Sequence, residues 1–362
     1  VMLAIGLMSG TSLDGIDAAL IETDGERQAK PVAFRGEPYS DTARSQLAAA
    51  TALALTFDRP RASPDLVAAG ELIDRTHAFA VHKLLREAGV AAADVAAIGY
   101  HGQTVAHRPD RGWTWQIGDG AVLAKATGIT VVSDFRSADV AAGGQGAPLL
   151  PVYHGALAAG LDLPVAVLNL GGVANITFIG ADGGLIAFDT GPANGLIDSW
   201  IEAETGARYD EGGALAAAGR VDQAVLTGML DHAFFDLAPP KSLDRNDFTI
   251  QPARGLAAAD GAATLTAFTA ASVNEAIDRL PARPRRLIVA GGGRHNPTML
   301  RMIAERTGLV PEPSDALGWN GDAMEAEGFA YMAARTLKGL PISFPGTTGV
   351  AAAMTGGVVS QP

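Results

Sequence analysis

The stretch Ile5-Gly6-Leu7-Met8-Ser9-Gly10-Thr11-Ser12-Leu13-Asp14-Gly15-Ile16-Asp17-Ala18-Ala19-Leu20 decides how this chain is read. Two apolar, strand-like segments flank a turn of glycine, small hydroxyl residues and aspartate. Glycine permits positive φ and close approach of a backbone to a ligand. Thr11 and Ser12 can donate to phosphate oxygens, and successive turn amides can form an anion-binding nest. Asp14 can hold a water of a magnesium ion. The turn therefore reads as a phosphate loop between two strands. It matches neither G-x-x-x-x-G-K-[ST] nor a G-x-G-x-x-G that opens a helix. Turn chemistry by itself also demands Gly and Asp, so a tight hairpin without a ligand stays open at this point.

The same pattern recurs further along the chain. Val165-Ala166-Val167-Leu168-Asn169-Leu170-Gly171-Gly172-Val173-Ala174-Asn175-Ile176-Thr177-Phe178-Ile179 is again apolar strand, small turn, apolar strand, and Gly171 lies 161 residues after Gly10. A hairpin that starts each half points to two domains of related fold facing each other across a cleft. Strand-Gly-Gly-strand is common enough for a chance echo to remain an alternative. A third turn, Gly291-Gly292-Gly293, follows the strand Arg286–Ala290 and precedes a helix Pro297–Arg306. There, amides and the helix dipole favour an anion or a flat nucleotide edge. Three such turns in this order match the three-part ATP site of the actin, sugar kinase and Hsp70 superfamily.

Composition narrows the class. The 362 residues are 48% hydrophobic and 18% charged, which suits a soluble two-domain enzyme. The net charge of −12, without a basic run, argues against nucleic acid as a partner. With no cysteine, disulfides, thiolate catalysis and Cys-ligated zinc are excluded. The apolar opening Val1–Met8 is short and lacks a basic flank, so it is not read as a signal peptide. No apolar run approaches the roughly 20 residues of a membrane span. A cytoplasmic location is the expectation.

Between these landmarks, strands and helices alternate. Leu3–Met8 and Ile16–Thr23 pair as a hairpin, Pro64–Ala88 is a long helix, and Val95–Tyr100 is a strand running into a polar loop, His101-Gly102-Gln103-Thr104. Ala121–Thr127 is a helix and Ile129–Ser133 a strand. The glycine-rich Ala141–Pro148 is taken as the crossing into the second domain, which gives domains of 1–140 plus about 341–362, and 141–340. Leu196–Thr205, Ala214–Leu230, Ala263–Arg279 and Ala323–Leu337 read as helices.

The opening loop, together with His101-Gly102-Gln103-Thr104, Ser133-Asp134-Phe135-Arg136, Leu168–Thr177, Phe188-Asp189-Thr190-Gly191-Pro192, Ala290–Gly293, Gly321–Ala326 and Phe344–Gly349, resembles the anhydro-N-acetylmuramic acid kinases, from residue 5 to about residue 356. The resemblance implies an α/β, two-domain actin-like (ribonuclease H-like) fold with ATP in the inter-domain cleft. It implies an ATP- and Mg2+-dependent enzyme of peptidoglycan recycling that takes a small anhydro-sugar as substrate, and a homodimer. Water would open the 1,6-anhydro bridge of 1,6-anhydro-N-acetylmuramic acid while O6 takes the γ-phosphoryl group. On this resemblance Asp189, set before an exposed Thr190-Gly191-Pro192 turn, is the general base; alone, it would read as a cap of the helix starting near Asn194.

The nucleotide residues implied are Gly10, Thr11, Ser12, Leu13, Asp14, Gly15, Ile16, Asp17, Gly171, Gly172, Asn175, Gly291, Gly292 and Gly293, with Asp14 reaching the metal through water. Gln103, Thr104, Arg136 and Glu325 are the implied sugar contacts, Arg136 pairing with the lactyl carboxylate. The alternatives of a salt bridge for Arg136 and a plain polar loop for Gln103 and Thr104 stay open. Asp322 reads as the N-cap of the last long helix. Two departures from the family pattern stand out. Ala193 replaces a glycine, which asks for an ordinary backbone there, and Leu243-Asp244 replaces Thr-Gly beside Lys241, Ser242 and Arg245. Rival readings are a kinase of another anhydro-sugar such as levoglucosan, and a nucleotide-switched binding protein.

Overall fold

The opening stretch folds into two antiparallel strands, β1 (Met2–Ser9) and β2 (Gly15–Thr23), in a computed structural model that describes residues 1–243 and 247–362. The chain continues through β3 (Ala29–Pro38), α1 (Asp41–Ala54), α2 (Pro64–Ala88), β4 (Val95–Arg108), β5 (Trp113–Ile117), α3 (Gly120–Thr127), β6 (Val131–Ser133), α4 (Ser137–Ala141) and α5 (Pro151–Leu157). It then forms β7 (Val165–Leu170), β8 (Val173–Ile179), β9 (Leu185–Pro192), α6 (Asn194–Thr205), α7 (Ala214–Ala218), α8 (Gln223–Leu230), α9 (Ala258–Asp278), β10 (Arg286–Ala290), α10 (Pro297–Thr307) and β11 (Pro311–Pro313). Last come α11 (Met324–Leu337) and β12 (Val358–Ser360).

Two compact units result, Val1–Ala159 with Ala323–Pro362, and Gly160–Asp322. Each holds one sheet, and the two sheets share a plan. In the first, β1, β2 and β3 form an antiparallel meander, and β4 and then β6 join parallel on the other side of β1. In the second, β7, β8 and β9 form the meander, and β10 and then β11 join parallel beside β7. Counted by core strands within each unit, both run 3-2-1-4-5, the order of a ribonuclease H-like fold, and the first sheet adds β5 against β4 and β12 against β6, both antiparallel. The echo read at Gly171 is therefore a repeated topology.

Local sequence explains the elements that position the site. Ser63 caps α2 by accepting from the Leu66 amide, Pro64 starts the helix, and Gly89 ends it at φ +66°. Ile5 and Leu7 alternate into a core with Leu20, Ile73 and Leu84. Gly6, between them, faces the other way. It pairs with Gly99 of β4, and together they make a flat seat for α11. A Cβ on Gly6 would stand 1.7 Å from the Ala326 carbonyl oxygen, and one on Gly99 2.0 Å from that of Phe329.

Both expected domain boundaries move, the second of them because of that seat. The chain divides at Ala159/Gly160 and Asp322/Ala323, not at 140/141 and 340/341, because α11 packs on the first sheet. The glycine-rich Ala141–Pro148 is likewise no crossing. Asp139 accepts from the Gly146 amide (2.6 Å) and from Thr348 Oγ1 (2.6 Å), and the Gln145 amide reaches the Thr348 carbonyl (2.7 Å).

Other expectations are corrected locally. His101–Thr104 is not a loop but part of β4, which bulges at Gly102 (φ +68°) and goes on to pair with β5. The helix expected over Ala214–Leu230 breaks at Gly219, where a Cβ would meet the Ala259 carbonyl oxygen of α9 at 1.9 Å, and Asp222 caps the second piece. Thr190, Gly191 and Pro192 are a buried end of β9, not an exposed turn. Strand β3 and helix α1 were not anticipated.

Candidate active site

In the first glycine turn, the Gly10 carbonyl accepts from the Leu13 amide (3.2 Å) and from Gln103 Nε2 (3.3 Å). Carbonyl and following N–H lie on opposite sides of a trans peptide, so the Thr11 amide points away from β4. Thr11, Ser12 and Asp14 are exposed. The other expected residues of this hairpin have packing partners in the first unit. Leu13, at φ +57°, and Ile16 insert into the core. Gly15 abuts the backbone of Glu37 and Pro38, and Asp17 sits within β2 opposite Gly36. Gln103 is 1% exposed, and its amide is spent on Ser9 Oγ, the Gly10 carbonyl and the Thr104 carbonyl.

The second turn repeats this logic in the other unit. The Leu170 carbonyl accepts from Asn194 Nδ2 (2.8 Å), the Gly171 carbonyl from the Asn194 amide (3.0 Å), and the Gly172 carbonyl from the amides of Ala193 and Gly195. With these carbonyls turned to the start of α6, the Gly171 and Gly172 amides point away from it, a disposition that favours an anion. Ala193 has φ −135° and ψ −121°, outside both the helical and the extended regions, so the backbone there is not the ordinary one expected. It is fully buried and carries no side-chain cap for α6, and Asp189 does not cap that helix either.

At the third turn Gly291 takes φ +74°, and its carbonyl accepts from the Arg294 amide and Nη1. Arg294 is buried and pinned on both flanks, to Asp315 Oδ2 (2.7 Å) and Asp322 Oδ1 (3.0 Å). Asp322 is thus an ion-pair partner rather than the cap of α11, whose cap position is Ala323. This bracing was missed in the sequence, although an arginine directly after three glycines was the available signal.

Strand register places Asn169, Asn175 and Asp189 on one rung of the second sheet, Asn169 opposite Asn175 and Asn175 opposite Asp189. The rung lies next to the Gly171-Gly172 turn. The Asp189 amide donates to the Lys241 carbonyl (2.9 Å), and its Oδ2 accepts from the Leu243 amide (2.8 Å). Burial pushes its carboxyl up to about 6, against the lowering effect of the Leu243 N–H. Such a group is ionised at neutral pH but only just, as a general base should be. Asp244 and Arg245 lie outside the described residues.

In the first unit, Arg136 and Thr104 meet at His101, and the Glu325 charge acts on Arg136. Arg136 Nη2 donates to His101 Nε2 (3.1 Å) and Nη1 to the Gly146 carbonyl (2.8 Å). His101 Nδ1 bonds the Gly102 carbonyl, so the ring is neutral, and burial followed by the Arg136 charge pushes it down to about 3. Thr104 Oγ1 accepts from Gln116 Nε2 (3.1 Å). Glu325, in the first turn of α11, is exposed, yet desolvation of its carboxyl raises it above the usual range while the Arg136 charge lowers it. A cavity of 290 Å³ opens beside this group, lined by His101, Thr114, Gln116, Ser133, Asp134 and Ser137 among others. Among the described residues no three His, Asp or Glu side chains cluster as a metal centre. A magnesium ion carried on phosphates needs only one or two protein carboxylates, and Asp14 fits that role.

Two ribonuclease H-like units in one chain, each opening on a hairpin with a glycine turn, define the architecture of the actin-like ATPases and sugar kinases. The chain belongs to the anhydro-N-acetylmuramic acid kinase family, whose profile matches residues 2–362. Curated relatives of that name include a protein of Rhizorhabdus wittichii, 70% identical over 100% of this chain and 99% of its own. Another, from Zymomonas mobilis, is 55% identical over 98% of this chain and 99% of its own. A third, from Methylobacterium nodulans, is 51% identical over the full length of both.

Proposed function

We propose that this chain uses ATP to convert 1,6-anhydro-N-acetylmuramic acid into N-acetylmuramic acid 6-phosphate, as a step of peptidoglycan recycling in the cytoplasm. Water adds to C1, the C1–O6 bond breaks, and O6 forms its bond to the γ-phosphorus as ADP leaves. Asp189 takes the proton of the attacking water. The observation that carries this reading is Asp189 itself: a carboxylate raised to about 6, with one oxygen fixed by the Leu243 amide, beside a glycine turn whose amides face outward.

The roles divide between the units. In the first, the outward Thr11 amide and the Thr11 and Ser12 hydroxyls take phosphate oxygens. Arg136 holds the lactyl carboxylate, with Thr104 and Glu325 as sugar contacts. In the second, the Gly171 and Gly172 amides take phosphate oxygens, and the Gly291–Gly293 turn, braced by Arg294, receives the nucleotide. Asp14 holds a magnesium ion through water, and the ion, when bound, offsets negative charge on the phosphates. Asn175 orients groups on the Asp189 rung. The protein acts as a homodimer, and no described helix is long and apolar enough to cross a membrane.

The test is turnover in 18O-labelled water. Sugar-dependent ADP should form one-to-one with product, with the label at the C1 hydroxyl and none in the phosphate. ADP release without sugar consumption, or equal use of levoglucosan, would overturn the assignment.

A further inference from the structure

Lys241 is an unusual residue to find in the interior beside a candidate base. It is 8% exposed, and its Nζ donates to the Phe234 carbonyl (2.9 Å) while standing 4.1 Å from the Phe234 ring centroid and 5.7 Å from that of Phe235. Burying an ammonium is costly unless its partners are fixed, and here they are. Phe234 and Phe235 pack on one another, and both pack on Phe248, which in turn meets Phe268 of α9. Cation–π attraction adds to the carbonyl hydrogen bond. The charged groups that act on the ammonium are Arg279, just past the end of α9, Asp236, and Glu275 of α9; Arg279 itself donates to the Phe235 carbonyl.

The main chain that Lys241 anchors reaches Asp189 twice. The Lys241 carbonyl accepts from the Asp189 amide, and two residues on the Leu243 amide donates to Asp189 Oδ2. A side chain locked into the aromatic floor thus fixes the short segment that clamps the carboxylate. Starting from Asp189 as the base, we infer that Lys241 is a positioning residue: by anchoring residues 241–243 it holds Asp189 Oδ2 on the Leu243 amide and so sets the carboxylate for attack by water.

The effect is distinguishable from a general loss of structure. The Leu243 hydrogen bond lowers the Asp189 pKa, so slackening the clamp moves the acid limb of the pH–rate profile to higher pH. Lys241→Met is expected to lower kcat on the order of 10- to 100-fold, leave KM for ATP and for the sugar nearly unchanged, and shift that limb upward. Lys241→Arg, which keeps a donor over the rings, restores most of both. A second pair bypasses Lys241, in case its variants do not fold. Leu243→Pro removes the amide donor and should shift the limb upward, while Leu243→Ala keeps the donor and should not. Lys241→Met with wild-type kcat and an unmoved limb overturns the inference, as does a Leu243→Pro limb that matches that of Leu243→Ala. Wild-type protein without sugar-dependent ADP formation would instead overturn the activity assignment, so the two failures are separable.

Discussion

Gln103 Nε2 donates to the Gly10 carbonyl at 3.3 Å, so a buried side chain of β4 holds the bend at the end of β1. The same amide accepts from Ser9 Oγ, which stands 2.8 Å from Tyr39 OH. Gln103 therefore shapes the phosphate turn from behind. Gln103→Leu should raise KM for ATP about tenfold and cost about 1–3 kcal/mol of stability, because the polar groups it served lose their partner. Steady-state kinetics against each substrate checks this. A rise confined to KM for the sugar would return Gln103 to the direct sugar contact that the family resemblance implied.

Two glycines of the opening stretch should respond in opposite ways. Gly6→Ala drives a methyl into the α11 backbone and should destabilise by at least about 3 kcal/mol. At Gly10 the nearest atom to an added Cβ is Ser12 Oγ, 3.6 Å away. Gly10→Ala should change stability by less than about 1 kcal/mol yet weaken ATP binding. Thermal unfolding beside ATP titration separates a packing glycine from a ligand glycine.

The acid limb of the rate profile should lie near pH 6, where Asp189 loses its charge. The buried histidines cannot supply it, since burial pushes His77, His101 and His154 down to about 4, 3 and 4. His101→Asn should therefore keep the limb. The same shift carries a stability signature. The Asp189 pKa is higher folded than unfolded, so its contribution declines as pH rises from about 4 to 6 and stays low above that. Asp189→Asn should be more stable than wild type at pH 7.5, on the order of 1–2 kcal/mol, and the gap should close below pH 4. Chemical denaturation at the two pH values measures it.

Arg136 is held by His101 and the Gly146 carbonyl, with the Glu325 charge nearby. Its replacement should act on recognition of the lactyl group. Arg136→Lys should raise KM for the anhydro-sugar by an order of magnitude, about what one charge-assisted bidentate contact contributes, and narrow the preference over sugars lacking the lactyl ether. A substrate panel reads this directly, and an unchanged preference would remove Arg136 from that role.

Much of the fold was legible because local chemistry and periodicity agreed. The β1–β2 and β7–β8 hairpins carried unbroken apolar runs about small turns, and Ser63, Pro64 and Gly89 marked both ends of α2. What was not legible depended on distant backbone. Gly219 breaks a helical pattern only because α9 passes within 1.9 Å, and α11 belongs to the first unit only because Gly6 and Gly99 leave room for it. The candidate base and Arg136 stood out in sequence through their motifs. The supports behind them did not. Lys241 reaches the Phe234 carbonyl 7 residues away, and Arg294 reaches carboxylates 21 and 28 residues away, partners that the glycine run beside Arg294 does not specify.

Asp189 is proposed to activate the water that opens the anhydro bridge. Turnover of 1,6-anhydro-N-acetylmuramic acid by Asp189→Asn, measured as N-acetylmuramic acid 6-phosphate formed with saturating ATP and magnesium, tests it most directly. A fall in kcat on the order of 100- to 10,000-fold in a folded protein that still binds ATP is the predicted result. Near-normal kcat in that variant would contradict it.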